Sequence, residues 1–254
     1  MTTSHRPIFI VGCQRSGTTL LRLILDSHEN LSCGPETRFL ADMAKITGQN
    51  WQRLSHYGFP KEYWHEKIAD FFDSILSGYA KRRGKSRWVD KTPLYALSLD
   101  FITELFPECQ VIHVIRDGRD VVASHRERWG YWSAVKAVEK WPRYIRAARA
   151  AGARLSPDRY IEVRYEDLVR DTDKTMRGLL DFLGEPWDPT VLEHDKVEHD
   201  VADKYAPFAS SRRQGGGGQA VYRSRVGAGK RLDPVLRLLF AFRSGRFRRE
   251  LGYS

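Results

Sequence analysis

Apolar and polar positions along the chain follow two periods in turn. Ile8-Phe9-Ile10-Val11 is an uninterrupted apolar run closed by Gly12, and Val111-Ile112-His113-Val114-Ile115 is a β-branched run closed by a charged turn. Short runs with such ends predict strands covered on both faces. Arg87-Trp88-Val89 and Tyr160-Ile161-Glu162-Val163 predict two further strands. Between these segments the period lengthens to that of a helix. Leu20, Leu21, Ile24 and Leu25 make two i,i+4 stripes, with Arg22 and Asp26 as polar interruptions, of a largely buried helix. Residues 38 to 80 predict more polar helices interrupted near Gly58-Phe59-Pro60. Other helices run to about Phe106, follow Asp117-Gly118, and span Ser133 to Ala151. Asp171 predicts an N-cap before Met176, Leu179, Leu180 and Leu183, with Gly184 and Pro186 as the stop. Asp233 and Pro234 open a last helix that carries Val235, Leu238, Leu239 and Phe242 on one face.

Repeated strand–helix–strand order calls for a parallel sheet with right-handed crossovers and helices on both faces. The expected architecture is therefore α/β, a P-loop-type three-layer fold with a central parallel sheet flanked by helices. Ligands of such sheets bind at the carboxyl ends of the strands. The four glycines of Gln214-Gly215-Gly216-Gly217-Gly218-Gln219 predict a flexible loop near 214–219. The residues beyond it carry one clear helix, too little for a domain of their own. The expectation is a single domain over residues 1–254.

The composition, 41% hydrophobic and 29% charged, is that of an ordinary soluble protein. Apolar runs only a few residues long exclude a membrane span. A strand beginning by Ile8 leaves no room for a signal peptide before it. Cys13, Cys33 and Cys109 have neither metal-ligand nor disulfide spacing, so a reducing, cytoplasmic setting is expected. His194 and His199, five apart, fit no helical metal pair, and no acidic cluster suggests a metal. The net charge of +10 asks for an anionic partner. Without a nucleic-acid recognition module, the basic run Arg243, Arg246, Arg248 and Arg249 reads as a solvated helix face and tail. A small phosphorylated ligand accounts for part of the charge more economically.

Chemistry concentrates where β-type runs end. Gly12-Cys13-Gln14-Arg15-Ser16-Gly17-Thr18-Thr19 follows a strand and opens a helix, the layout of a phosphate-cradling loop. The spacing Gly12-x4-Gly17 would put the lysine of an ATP or GTP site at position 18, which is Thr; the cation sits inside the loop, at Arg15. Arg116 ends the strongest strand, and Ser124 lies in the helix that follows. A guanidinium and a hydroxyl so placed can converge on one phosphate. A charged turn, Arg116 to Asp120, is the alternative.

Gln-Arg-Ser-Gly-Thr-Thr-Leu (14–20), Val-Ile-Arg-Asp-Gly-Arg-Asp-Val-Val-Ala-Ser (114–124) and Val-Arg-Tyr-Glu-Asp-Leu (163–168) together resemble the sulfotransferase superfamily. Phe-Leu-Gly-Glu-Pro-Trp (182–187) extends the match, and Tyr222-Arg223-Ser224-Arg225-Val226-Gly227 is a weaker echo. The resemblance implies a donor, 3′-phosphoadenosine 5′-phosphosulfate (PAPS; product PAP), and no metal. Arg15, Ser16, Gly17, Thr18 and Thr19 would then hold its 5′-phosphosulfate end. Arg116, Ser124 and Arg128 would hold the 3′-phosphate, with Tyr165 on the nucleoside side. Roles for Ser224, Arg225 and Lys230 stay open, as the match around the glycine run is poor.

Cys33-Gly34-Pro35-Glu36-Thr37-Arg38 is similar to the segment of tyrosylprotein sulfotransferases that carries their catalytic glutamate, and Asp90-Lys91-Thr92-Pro93 falls where that branch has its catalytic lysine. The histidine that small-molecule sulfotransferases place after their lysine is absent, since Thr92 and Pro93 stand there. The resemblance thus implies Glu36 as general base, with Arg15 and Lys91 as catalytic cations; a salt bridge from Glu36 to Arg38 is the structural alternative. The reaction expected is in-line sulfuryl transfer to the hydroxyl of a small molecule, carbohydrate or peptide, with no nucleic-acid partner. The acceptor pocket is expected between the 38–80 helices and the aromatic stretch Trp129 to Trp132. A P-loop kinase, or a non-catalytic binder of an anionic ligand, stays open at this level, as does a monomer or homodimer.

Overall fold

β1 (Ile8–Gly12) is the middle strand of a five-stranded parallel sheet in the computed structural model, which describes residues 6–199 and 225–253. β2 (Leu31–Cys33), β3 (Arg87–Lys91), β4 (Gln110–Ile115) and β5 (Tyr160–Arg164) complete it, in the spatial order β2-β3-β1-β4-β5. The helices before β4 are α1 (Thr18–Asp26), α2 (Phe39–Leu54), α3 (Lys61–Arg82) and α4 (Leu99–Leu105). After it come α5 (Gly118–Trp129), α6 (Tyr131–Gly152), α7 (Tyr165–Arg170), α8 (Thr172–Leu183) and α9 (Pro234–Glu250). Segment 214–219, expected to form a flexible loop, and Ser224 lie outside the described residues.

The strand period of two explains the layering. Phe9 and Val11 turn to one face of the sheet, among Trp88, Val111 and the α6 residues Trp141 and Ile145. Ile8 and Ile10 turn to the other, among Ile112, Val114, Leu21 and Ile24 of α1, and Leu179 and Leu180 of α8. Each such side chain withdrawn from water contributes about 1.5–3 kcal/mol, which is why the central runs carry no alternating polar positions. His113 sits fully buried in its run, as expected, with Nδ1 2.6 Å from the Tyr160 hydroxyl. Asp171 and Asp233 cap α8 and α9 by accepting from the N–H groups of Lys174 and Leu236.

Three features depart from the sequence reading. β2 is only Leu-Ser-Cys, too short for a periodic signal, and it is held by pairing with β3 at the sheet edge. On α9 the face carrying Val235, Leu238 and Phe242 points outward, with Phe242 85% exposed. Apolar residues surround the first half of this helix, so their spacing selects no unique face. Leu236, Phe240 and Phe247 are buried, and the small Ser244 lets the helix approach α6, donating to the Val138 carbonyl at 2.8 Å. Arg248 belongs to no solvated face. It is buried, and its Nε and Nη2 donate to the two Asp117 carboxylate oxygens at 2.8 and 2.6 Å.

Asp26, at the end of α1, joins four segments. Its carboxylate accepts from the Cys33 N–H at 2.9 Å and from Arg83, and lies 2.8 Å from His199 Nδ1. Burial alone would raise its pKa. The hydrogen bonds from His199, Arg83 and the Cys33 N–H outweigh burial and lower it from 3.8 to about 2. A folded-state pKa below the unfolded one means stability that is full above the unfolded value and lost as pH falls through the folded one. Asp26→Asn is therefore expected to lower unfolding free energy by about 2 kcal/mol at pH 7. In urea titrations the gap from wild type should shrink as the pH drops from 4 towards 2; a gap independent of pH would contradict this.

Candidate active site at the carboxyl edge of the sheet

The register of β1 decides what surrounds the loop that follows it. Ile10 pairs with Lys91 on one side, and Gly12 pairs with Val114 on the other, two residues before Arg116. At Gly12 (φ 152°) a Cβ would lie 2.5 Å from the Val114 carbonyl oxygen, so the chain can leave the sheet here only as glycine. Arg15 (φ 73°) and Gly17 (φ 101°) take left-handed conformations and wrap the loop. A Cβ on Gly17 would strike the Tyr165 ring at 2.2 Å. α1 then opens at Thr18 with no side-chain cap and no acidic residue in its first turn. Its free N–H groups and positive dipole end favour an anion there.

Two arginines converge on this loop. Arg15 Nε donates to Ser124 Oγ at 2.9 Å, and its guanidinium lies 5.6 Å from the Trp129 ring centroid. Arg116 is buried, with its guanidinium 4.4 Å from the Tyr165 ring centroid. Its Nη1 donates to the Arg15 carbonyl at 3.1 Å and its Nη2 to the Arg225 carbonyl at 2.5 Å. Its Nε is buried with no partner, a donor that an anionic ligand would satisfy. Arg15, Gly17, Thr18, Thr19, Leu20, Arg116, Tyr165 and Arg225 line an open cleft.

The sequence-predicted residues fall into three groups. Arg15, Gly17, Thr18, Thr19, Arg116 and Tyr165 share the cleft wall, and Ser124 supports it through Arg15. Ser16 is buried, its hydroxyl unpartnered, and Arg128 is exposed on the last turn of α5; neither lines the cleft. Glu36 and Lys91 form a separate pair on the β2–β3 side. Lys91 Nζ donates to Glu36 Oε1 at 2.5 Å, so Glu36 answers Lys91, not Arg38. Lys91 is nearly buried and Glu36 is 24% exposed, leaving the carboxylate reachable.

Arg225 was left open in the sequence and proves to be a wall of the cleft. Asp120 fixes the segment around it by accepting from the N–H groups of Gly227 and Gly229 at 2.8 and 2.7 Å. The signal was present in the weak Tyr222-to-Gly227 echo, but only contact with Arg116 gives it weight. Lys230 is exposed and outside the cleft. Of the aromatic stretch, Trp129, Tyr131 and Trp132 are exposed, Trp129 beside Arg15. Burial pushes the Cys13 thiol up to about 12, so it stays protonated inside the loop. Among the described residues no group of three or more His, Cys, Asp or Glu side chains is arranged to hold a metal ion.

A cradle after the central strand, with a helix N-terminus, buried Arg116 and half-buried Arg15 around it, defines a P-loop-type α/β protein. Comparison with known proteins narrows the class. Residues 7–189 match the model of the sulfotransferase family, and the chain belongs to that family. The protein-tyrosine sulfotransferase of Drosophila melanogaster is 32% identical over 202 residues, covering 74% of this chain and 40% of that protein. Protein-tyrosine sulfotransferase A of Caenorhabditis elegans is also 32% identical over 202 residues, covering 75% of this chain and 53% of its own length. The chain thus spans about half, or less, of these relatives. The sulfotransferase domain of the Synechococcus PCC 7002 olefin synthase has the same fold, with a TM-score of 0.68 at 23% identity over 100% of this chain and 98% of that one. No helix among the described residues is long and apolar enough to cross a membrane.

Proposed function

We propose that this protein transfers a sulfuryl group from PAPS to a hydroxyl acceptor, with Glu36 as the general base. The observation that carries the reading is the Lys91–Glu36 pair at 2.5 Å at the end of β3, the strand next to β1, whose loop walls a cleft with Arg15, Arg116 and Arg225. A kinase loop would carry a lysine at position 18, where this chain has Thr, and a mere anion binder has no use for a reachable carboxylate held on a lysine.

PAPS supplies an activated sulfuryl group on a phosphate leaving group. The N–H groups at the start of α1, with Thr18 and Thr19, hold the 5′ end, while Arg116 and Arg225 suit a second phosphate across the cleft. Arg15 is held at the loop by Ser124 and Trp129, where it neutralises charge on the transferring group. In the transfer, the acceptor oxygen forms the new O–S bond as the S–O bond to the 5′-phosphate breaks, and Glu36 receives the acceptor's proton. Lys91 stands next to Glu36 as the cation for the leaving oxygen. The acceptor would enter on the Glu36 side, where that carboxylate is reachable. A peptide tyrosine, the acceptor class in the relatives' names, carries such a hydroxyl. A cytoplasmic setting suits the buried, unpaired thiols Cys13, Cys33 and Cys109.

Calorimetry separates this reading from its competitors. PAP is expected to bind without magnesium and at least about tenfold more tightly than AMP, which lacks the second phosphate. Tighter binding of ATP with magnesium would return the site to a kinase.

A further inference from the structure

Glu36 and Lys91 stand on different elements, the segment after β2 and the last residue of β3. Each has a neighbour in the chain that reaches across the same gap. Thr37 Oγ1 donates to Asp90 Oδ2 at 2.6 Å and lies 2.6 Å from the Tyr95 hydroxyl. Tyr95 Oη in turn accepts the Leu40 N–H at 3.0 Å. Hydrogen counting gives the chain a direction. Thr37 has one hydroxyl proton, and with Asp90 ionised it must point at the carboxylate; Tyr95 therefore donates to Thr37. The order is Leu40 N–H to Tyr95, Tyr95 to Thr37, Thr37 to Asp90, each bond polarising the next.

The arrangement is costly to the fold. Asp90 and Tyr95 are buried, and Asp90 Oδ1 lacks a hydrogen bond of ordinary geometry. Burial, only partly offset by the Thr37 and Thr92 hydroxyls and the Lys91 charge, pushes the Asp90 carboxyl up to about 6. An apolar residue at position 90 would pack beside Phe9 of β1 without that cost. What Asp90 does, and an apolar residue could not, is hold the segment bearing Glu36 against the strand bearing Lys91.

We infer that Thr37, Asp90 and Tyr95 are positioning residues that set the Glu36 carboxylate against Lys91 Nζ through their own cross-strand hydrogen-bond chain. The inference rests on the sulfuryl-transfer reading above for its consequence in catalysis, though not for its geometry. A base displaced by about 1 Å can lose two orders of magnitude in rate. None of the three lines the cleft of Arg15 and Arg116, so cofactor binding should not feel their loss.

The test compares Thr37→Val, which keeps the volume and loses the hydroxyl, with Thr37→Ser, which keeps the hydroxyl; Tyr95→Phe probes the next link. The full chain is used, with PAPS as donor and 4-nitrophenol as acceptor. Thr37→Val is expected to lower kcat about 10- to 100-fold, with KM for PAPS and the PAP dissociation constant within about twofold. Thr37→Ser should restore most of kcat, and Tyr95→Phe should fall between. Undiminished kcat in Thr37→Val, or equal loss in Val and Ser variants, overturns the inference. Should wild type bind no PAP, the sulfuryl-transfer reading fails by itself, and crystal structures then decide the geometry. A Lys91–Glu36 separation opened beyond hydrogen-bond distance in Thr37→Val or Tyr95→Phe supports the cross-link, and an unchanged pair in both refutes it.

Discussion

Glu36→Gln is expected to slow sulfuryl transfer by about 10²- to 10⁴-fold while PAP affinity stays close to that of wild type. Gln preserves the volume and can still accept from Lys91, but its amide takes no proton from an attacking hydroxyl. The separation of effects follows from where Glu36 stands. It pairs with Lys91 on the β2–β3 side, and the wall of the cleft does not include it. An effect confined to kcat would mark an interaction made only on the way to the transition state. Equal losses in PAP binding and in turnover would mean that Glu36 holds the site together and does no proton transfer.

Arg116→Ala should weaken PAP binding by about 100-fold, the worth of two charged hydrogen bonds at about 1.5 kcal/mol each, with a smaller effect on AMP. Three observations single out this residue. Arg116 is the buried cation of the cleft, its Nε is unpartnered, and its Nη groups fasten the carbonyls of Arg15 and Arg225. Part of the loss will therefore come from loosening the two chain segments that Arg116 ties together. AMP serves to separate the two contributions in calorimetry. If AMP weakens as much as PAP, Arg116 acts through the loop and not on a second phosphate. The Trp141 indole donates to the Arg116 main-chain carbonyl at 2.9 Å, a contact that the substitution leaves in place.

The structure bears out the layering and the loop because both rest on local signals. Continuous β-branched runs, glycines at the left-handed turns other than Arg15 and Arg38, and acidic caps at Asp171 and Asp233 act within a few residues of themselves. β2 carries no such signal; Leu-Ser-Cys becomes a strand by pairing with β3. α9 shows the converse. Its apolar residues are plain in the sequence, yet which of them are buried follows from the small Ser244 against α6 and from Arg248 reaching Asp117. The basic run that looked like a solvated tail thus contains a buried ion pair 131 residues apart in the chain.

By itself the sequence determined the class of fold, the cradle with its displaced cation at Arg15, and the residues Glu36, Lys91 and Arg116 as the chemistry to look for. The fold class, the cradle and Arg116 rest on residue type, spacing and local periodicity, which a linear chain carries in full, whereas Glu36 and Lys91 came from the resemblance to tyrosylprotein sulfotransferases. Only the tertiary structure decided how they combine. Central β1 sets the loop between the ends of β3 and β4, which gives Lys91 to Glu36, Ser124 to Arg15, and Arg225 to Arg116. Such pairings depend on strand order and register, and no spacing along the chain encodes a partner 109 residues away.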